Sequence, residues 1–214
     1  MNMKKFEIVS IKKIEKENLL SKYSPIYLLA KKLKLKYLIK EENLFTGPAI
    51  GLASVIDKIT KNLPIKNMLD LCCGTGALSK IALLNGVKRV SCLDLRIEVA
   101  KENLEEFKEK IEFIEEDVFK FKPKKFYDLI VLDAPINLIE DLLNEFIPKI
   151  KKKCNLFVMW HGSAEENEWN EWVRNCLRKI FSKLIEVGSY GEEISCCSST
   201  KKGKRWLEKL FKLW

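Results

Sequence analysis

The stretch Leu69 to Lys80, LDLCCGTGALSK, sets two adjacent cysteines before a Gly-Thr-Gly turn. Three chemistries would use such a segment: a reactive thiol, a metal site, or a loop whose backbone N–H groups bind a cofactor. All 7 cysteines fall outside Cys-x-x-Cys spacing, and Cys72-Cys73 and Cys196-Cys197 are adjacent doublets. Neighbouring residues do not readily aim both thiolates at one ion, so no metal site is expected. Cys92, Cys154 and Cys176 sit in apolar segments and read as small buried hydrophobes.

The elements around the stretch favour the cofactor loop. Asn67 to Cys72 reads as a strand and Ala77 to Leu84 as a helix closed by Asn85-Gly86, so Gly74 and Gly76 lie between a strand end and a helix start. In a doubly wound sheet a nucleotide-like ligand binds there. A dinucleotide fingerprint would need a third glycine where Ser79 stands; the spacing here is Asp70-x-Cys72-x-Gly74-x-Gly76.

That spacing resembles the first motif of the class I S-adenosylmethionine-dependent methyltransferases, an acid followed by three small residues at alternate positions. Cys72 replaces the first glycine, and the turn survives if that position has no need of positive φ. The resemblance covers roughly Ile65 to Ser199. It implies S-adenosylmethionine as cofactor and S-adenosylhomocysteine as product. It further implies that Asp94, closing the second strand, accepts the ribose hydroxyls, that Asp117 accepts the adenine amine, and that Val118 or Phe119 flanks the ring. Asp133-Ala134-Pro135-Ile136 follows the fourth strand, where amino-methylating members carry an acid, Asn or Ser, then Pro-Pro and an aromatic. Asp133 and Pro135 match, and Asp133 falls beside both cofactor and acceptor; Ile136 removes the usual stacking platform for a flipped base.

His161 follows the fifth strand, Asn155 to Trp160, at the same sheet edge. Its ordinary pKa suits a general base, and a histidine satisfying a loop or helix end reads equally well. The candidate catalytic residues are therefore Asp133 and His161. Tyr27 and Thr46-Gly47-Pro48 stand as possible borders of the acceptor pocket, with turn and core roles as the alternative.

The remaining pattern supplies the frame. Arg89 to Leu93, Ile111 to Ile114 and Tyr127 to Leu132 read as further parallel strands. Ala100, Leu104, Phe107 and Ile111 repeat at helical spacing, as do Leu138 to Ile150. Ser163 and Glu166 have capping-box spacing ahead of a helix bearing Trp169 and Trp172. Leu184 to Val187 and Glu193 to Ser198 form a hairpin, and Gly203 to Trp214 a last amphipathic helix that packs back on the domain. The expected fold is α/β, a doubly wound, seven-stranded, mostly parallel Rossmann-like sheet with a terminal antiparallel hairpin. Residues 1–64 read as a mainly helical extension covering the sheet and the acceptor site, with a strand in KFEIVSI and helices over Tyr27 to Leu38 and Ile50 to Ile59. Residues 65–214 read as the cofactor-binding domain.

A chain of 214 residues with 47% apolar content can bury a sizeable core. No apolar run approaches the roughly 20 residues that cross a bilayer, and MNMKKFEIVS lacks a secretion-signal pattern; a cytoplasmic protein with no membrane partner is expected. The net charge of +9 suits RNA, yet abundant Lys and Glu with no Gln is also a thermophile-like composition. The acceptor is left open among RNA, a protein and a small metabolite, through nitrogen, oxygen or sulfur. A non-catalytic partner subunit and an aminopropyltransferase remain as the other readings. Oligomeric state has no signal in the sequence.

Overall fold

The structure is a computed structural model that describes residues 6–21, 24–41, 44–47, 49–163 and 165–213. The chain begins with β1 (Phe6–Ser10), α1 (Ile11–Glu17), α2 (Pro25–Lys32), β2 (Tyr37–Glu41), β3 (Leu44–Thr46) and α3 (Ile50–Asn62). The sheet region follows as β4 (Asn67–Leu71), α4 (Ala77–Leu84), β5 (Arg89–Asp94), α5 (Glu98–Asn103), β6 (Ile111–Glu115) and β7 (Tyr127–Leu132). After it come α6 (Ile136–Asp141), α7 (Ile147–Ile150), β8 (Cys154–Ser163), α8 (Asn167–Ile180), β9 (Lys183–Ser189), β10 (Glu192–Ser198) and α9 (Lys201–Phe211).

Seven strands form one sheet in the order β6-β5-β4-β7-β8-β10-β9. All neighbours pair in parallel up to β8, and β10 is antiparallel to both β8 and β9. The central strand β7, YDLIVL, is buried at every position, as a strand covered on both faces must be. On one face Leu129 and Val131 meet α3, α4, α5 and α9; on the other Ile130 and Leu132 meet α6, α7 and α8. Trp206, Leu207 and Leu210 carry α9 into the first core, as expected of the last amphipathic segment, and Trp169 and Trp172 stack at 5.1 Å on the second. The doubly wound sheet and its terminal hairpin are as the sequence indicates.

Several local expectations change. The segment over Tyr27 to Leu38 splits, its helix ending at Lys32 and Tyr37 entering β2, which pairs with β1 and β3. The extension therefore holds a third helix, α1, beside the two expected, and its one expected strand belongs to a three-stranded antiparallel sheet. Ile111 is the first residue of β6, the helix before it ending at Asn103 and a 3-10 turn filling Glu105–Lys110. A π-helical turn, Leu142–Phe146, joins α6 to α7. The Ser163–Glu166 capping box does not form, because β10 pairing extends β8 to Ser163, opposite Glu192. Pro48 and Trp214 lie outside the described residues.

One buried amide fastens the extension to the sheet. Asn103, 2% exposed, accepts from Lys36 N (2.7 Å) and Tyr37 N (2.9 Å) and donates to Tyr37 O (3.0 Å) and Thr75 O (2.9 Å). Beside it the buried Lys80 ammonium donates to Asn103 O and Lys34 O and pairs with Glu106 at 2.7 Å. Thr75 belongs to the glycine turn, so the extension and the turn share one anchor. Val9, Ile56, Met68 and Leu207 lie in a single continuous core.

Candidate functional site

The site grows from the end of β4. There the chain enters the left-handed region at Cys72 (φ 59°), Gly74 (φ 51°) and Gly76 (φ 75°). The position of the replaced glycine thus does take positive φ, and cysteine occupies it at a cost of about 1–2 kcal/mol. Gly76 is required twice over, since a Cβ would also meet Leu104 Cδ1 at 2.6 Å. A Cβ on Gly74 would meet nothing within 4 Å; open space lies in front of this backbone.

Asp70 is fully buried beneath the turn. Its Oδ2 accepts from Ser79 N (3.1 Å) and Ser79 Oγ (2.6 Å), while Oδ1 has no hydrogen-bond partner among the described residues. Burial pushes its pKa up to about 7, against the opposing pull of the Ser79 bonds. Ser79, where a dinucleotide loop would have glycine, is therefore the side chain that ties α4 to the motif's acid.

Parallel strands end at the same edge, and their acids gather there. Asp94 accepts from Gly74 N (2.9 Å) and Arg96 N (3.0 Å), one on each oxygen. Asp117, after β6, accepts from Phe119 N at 3.0 Å, and Val118 beside it is 6% exposed. Asp133 follows β7, its amide 3.5 Å from Leu71 O. The charges of all four bear on the Cys72 thiol. Burial raises its pKa most, followed by the charges of Asp94, Asp133, Asp70 and Asp117. A thiol held protonated is neither nucleophile nor ligand, and no group of three or more metal-ligating side chains occurs among the described residues.

The extension meets this edge. Asp133 Oδ2 accepts from Ala49 N at 3.3 Å, just ahead of α3. Glu192, opening β10, accepts from Gly51 N (2.9 Å) and Leu52 N (3.4 Å) at the same helix start. Burial raises the Asp133 pKa to about 7, with Asp70 and Glu192 adding to the rise; burial also raises that of Glu192. Glu192 was not singled out from the sequence. The Glu192-Glu193 doublet offers two acids on alternating faces, and only the β8–β10 register chooses between them.

His161 is not part of this cluster. It lies inside β8, wholly buried, with Nδ1 3.0 Å from Asn170 Oδ1 and Nε2 3.1 Å from Ser195 Oγ. Burial lowers its pKa to about 4, so it is neutral, fully engaged and facing α8. The expectation of a general base there gives way to a structural role. Tyr27 is likewise engaged, donating to Glu15 at 2.8 Å, and Gly47 packs on Ile26.

Comparison with known proteins agrees with this geometry. Residues 39–155 match the model of the methyltransferase small domain. A ribosomal protein L11 methyltransferase of Acetivibrio thermocellus is 33% identical over 143 residues, 64% of this chain and 44% of that protein. The chain spans about half the length of the curated relatives it matches. Among solved structures, spermidine synthase of Thermotoga maritima superposes with a TM-score of 0.61 at 12% identity, over 80% of this chain and 68% of that one. The N-methyltransferase NodS of Bradyrhizobium japonicum gives 0.51 at 18%, over 68% and 92%; at such identities both likenesses speak for the fold alone. With 117 of its residues inside the match, the chain belongs to the methyltransferase small domain family and has the fold of the class I S-adenosylmethionine-dependent methyltransferases.

Proposed function

We propose that the chain transfers a methyl group from S-adenosylmethionine to a nucleophilic atom of a protein substrate in the cytoplasm. The observation that carries this is the gathering of Asp70, Asp94, Asp117 and Asp133 at the carboxyl ends of β4, β5, β6 and β7, around a turn with open space before Gly74. The protein acceptor takes its support from the name of the curated relatives. No described helix is long and apolar enough to cross a membrane.

The residues present fit the cofactor. Asp70 Oδ1 is a buried acceptor without a partner, and Asp94 is oriented by Gly74 and Arg96 at the strand end where ribose hydroxyls need a carboxylate. Asp117 would accept the adenine amine, Val118 would lie against the ring, and Cys72, Gly74 and Gly76 would shape the backbone around the remainder. The cofactor supplies an electrophilic methyl on a sulfonium sulfur. An acceptor lone pair would take that methyl, the electrons of the broken carbon–sulfur bond remaining on sulfur. Positioning does most of the work. Asp133, near half-protonated at neutral pH, takes the acceptor's proton. Residues 1–64 serve as the cover of the acceptor side, 65–214 as the cofactor-binding domain, though one core joins them.

The test is incorporation of labelled methyl into a ribosomal protein fraction. Signal in protein that disappears in Asp94→Ala supports the reading; label found in RNA alone, or none at all, overturns it.

A further inference from the structure

The segment after β7 lacks an aromatic ring, Ile136 standing in its place and 44% exposed. A ring is present on the next strand. β7 and β8 run parallel with Leu132 opposite Met159, so Asp133 and Trp160 occupy the following step of one register. Side chains alternate along both strands: Val131 and Val158 belong to the core shared with the extension, and Trp160 packs, partly buried, against the same core. His161, one residue on, turns to α8 instead.

The Trp160 indole is incomplete. Its Nε1 is buried and has no hydrogen-bond partner among the described residues, whereas a buried indole N–H ordinarily finds an acceptor. A partly exposed ring with an unused donor suits a ligand that brings its own oxygen. The charge around it favours a cation. Asp133 and Glu192 are held by the α3 start, Glu192 adds to the rise of the Asp133 pKa, and no ion pair among the described residues engages either. The chain as a whole carries +9, and here two carboxyls stand on the same helix start.

We propose that Trp160 is the acceptor-orienting residue, its ring receiving a substrate amine in the ammonium form that Asp133 and Glu192 neutralise, and its indole N–H donating to a neighbouring substrate oxygen. The inference rests on the methyltransferase reading and adds the chemical class of the acceptor. Cations are attracted to the face of an indole ring by its quadrupole, and a carboxylate with a raised pKa gains most from a cation placed beside it.

The test titrates the protein saturated with S-adenosylhomocysteine, by calorimetry and tryptophan fluorescence, with n-butylamine and the neutral n-butanol. The amine binds at least about tenfold more tightly than the alcohol, a factor within the range of a cation–π contact. Glu192→Gln and Trp160→Ala each erase most of that preference; Trp160→Phe keeps part of it, since the ring remains, but loses the fluorescence change. Retained S-adenosylhomocysteine affinity shows that the variants are folded. Nα-acetyl-lysine amide and putrescine separate the sources, tighter binding of the first indicating a protein side chain and of the second a free polyamine. Equal affinity for amine and alcohol, or a preference unchanged in both Glu192→Gln and Trp160→Ala, overturns the proposal while leaving the methyltransferase reading intact. Failure of the wild type to bind S-adenosylhomocysteine overturns both.

Discussion

The amide of Ala49 donates to Asp133 Oδ2 across 3.3 Å, joining residues 84 positions apart in the chain. The extension is thereby part of the edge at which the central strands end. Asp133 is held by a backbone group that cannot be removed by mutating a side chain, and its carboxyl keeps its second oxygen for other work. Replacing Asp133 with Asn should keep the fold and lower turnover by roughly 10²–10³-fold, the usual share of a positioned base. In the wild type, turnover should rise with pH through about 7 as the carboxylate forms; Asp133→Asn should lose that inflection. A pH–rate profile of both proteins checks it.

Cys72 tests the turn. At φ 59° glycine is relaxed, cysteine strained and a β-branched side chain strongly disfavoured. Cys72→Gly should leave stability within about 1 kcal/mol, the relief of strain offset by a more flexible unfolded chain. Cys72→Val should cost about 2 kcal/mol or more. Chemical denaturation of the two variants against wild type measures both.

His161 should matter to folding and not to chemistry. His161→Ala strands Asn170 Oδ1 and Ser195 Oγ in a buried setting, a loss of roughly 2–4 kcal/mol. Turnover well below the melting temperature should stay within about threefold of wild type, less than the loss expected of a general base. A large fall in turnover with unchanged stability would return His161 to the reaction.

Asp70 gives stability a pH signature. Its folded pKa of about 7 exceeds the ordinary 3.8, so its contribution is complete below that lower value and disappears as pH rises through about 7. Between pH 6 and 8 the loss from this group is roughly 1 kcal/mol. His161, lowered to about 4, contributes in the opposite sense as pH rises from 4 to 6.5. The informative quantity is therefore the stability of wild type relative to Asp70→Asn: it should fall by roughly 1 kcal/mol from pH 6 to 8, and a difference independent of pH would contradict the burial argument.

The placing of the four acids was legible because parallel strands put successive strand ends at one edge. Asp70, Asp94, Asp117 and Asp133 could each be placed by counting apolar runs, without knowing any contact. The surroundings of Asp133 resisted for two physical reasons. Whether Trp160 or His161 looks toward Asp133 depends on a one-residue step along β8 that reverses the face, and a fully buried strand has no polar alternation to mark it. Glu192 and Ala49 meet only through α3 and β10, elements far apart in the chain. The extension's sheet was hidden as well, since Tyr37–Glu41 continues the lysine-rich helical pattern and becomes a strand by pairing with β1.

The most direct measurement is calorimetric titration of wild type and Asp94→Ala with S-adenosylhomocysteine. The account predicts one site of micromolar affinity in the wild type and a loss of about tenfold or more without the strand-end carboxylate, as expected for hydrogen bonds to a charged group. No binding to the wild type, or equal binding by the two proteins, would contradict it.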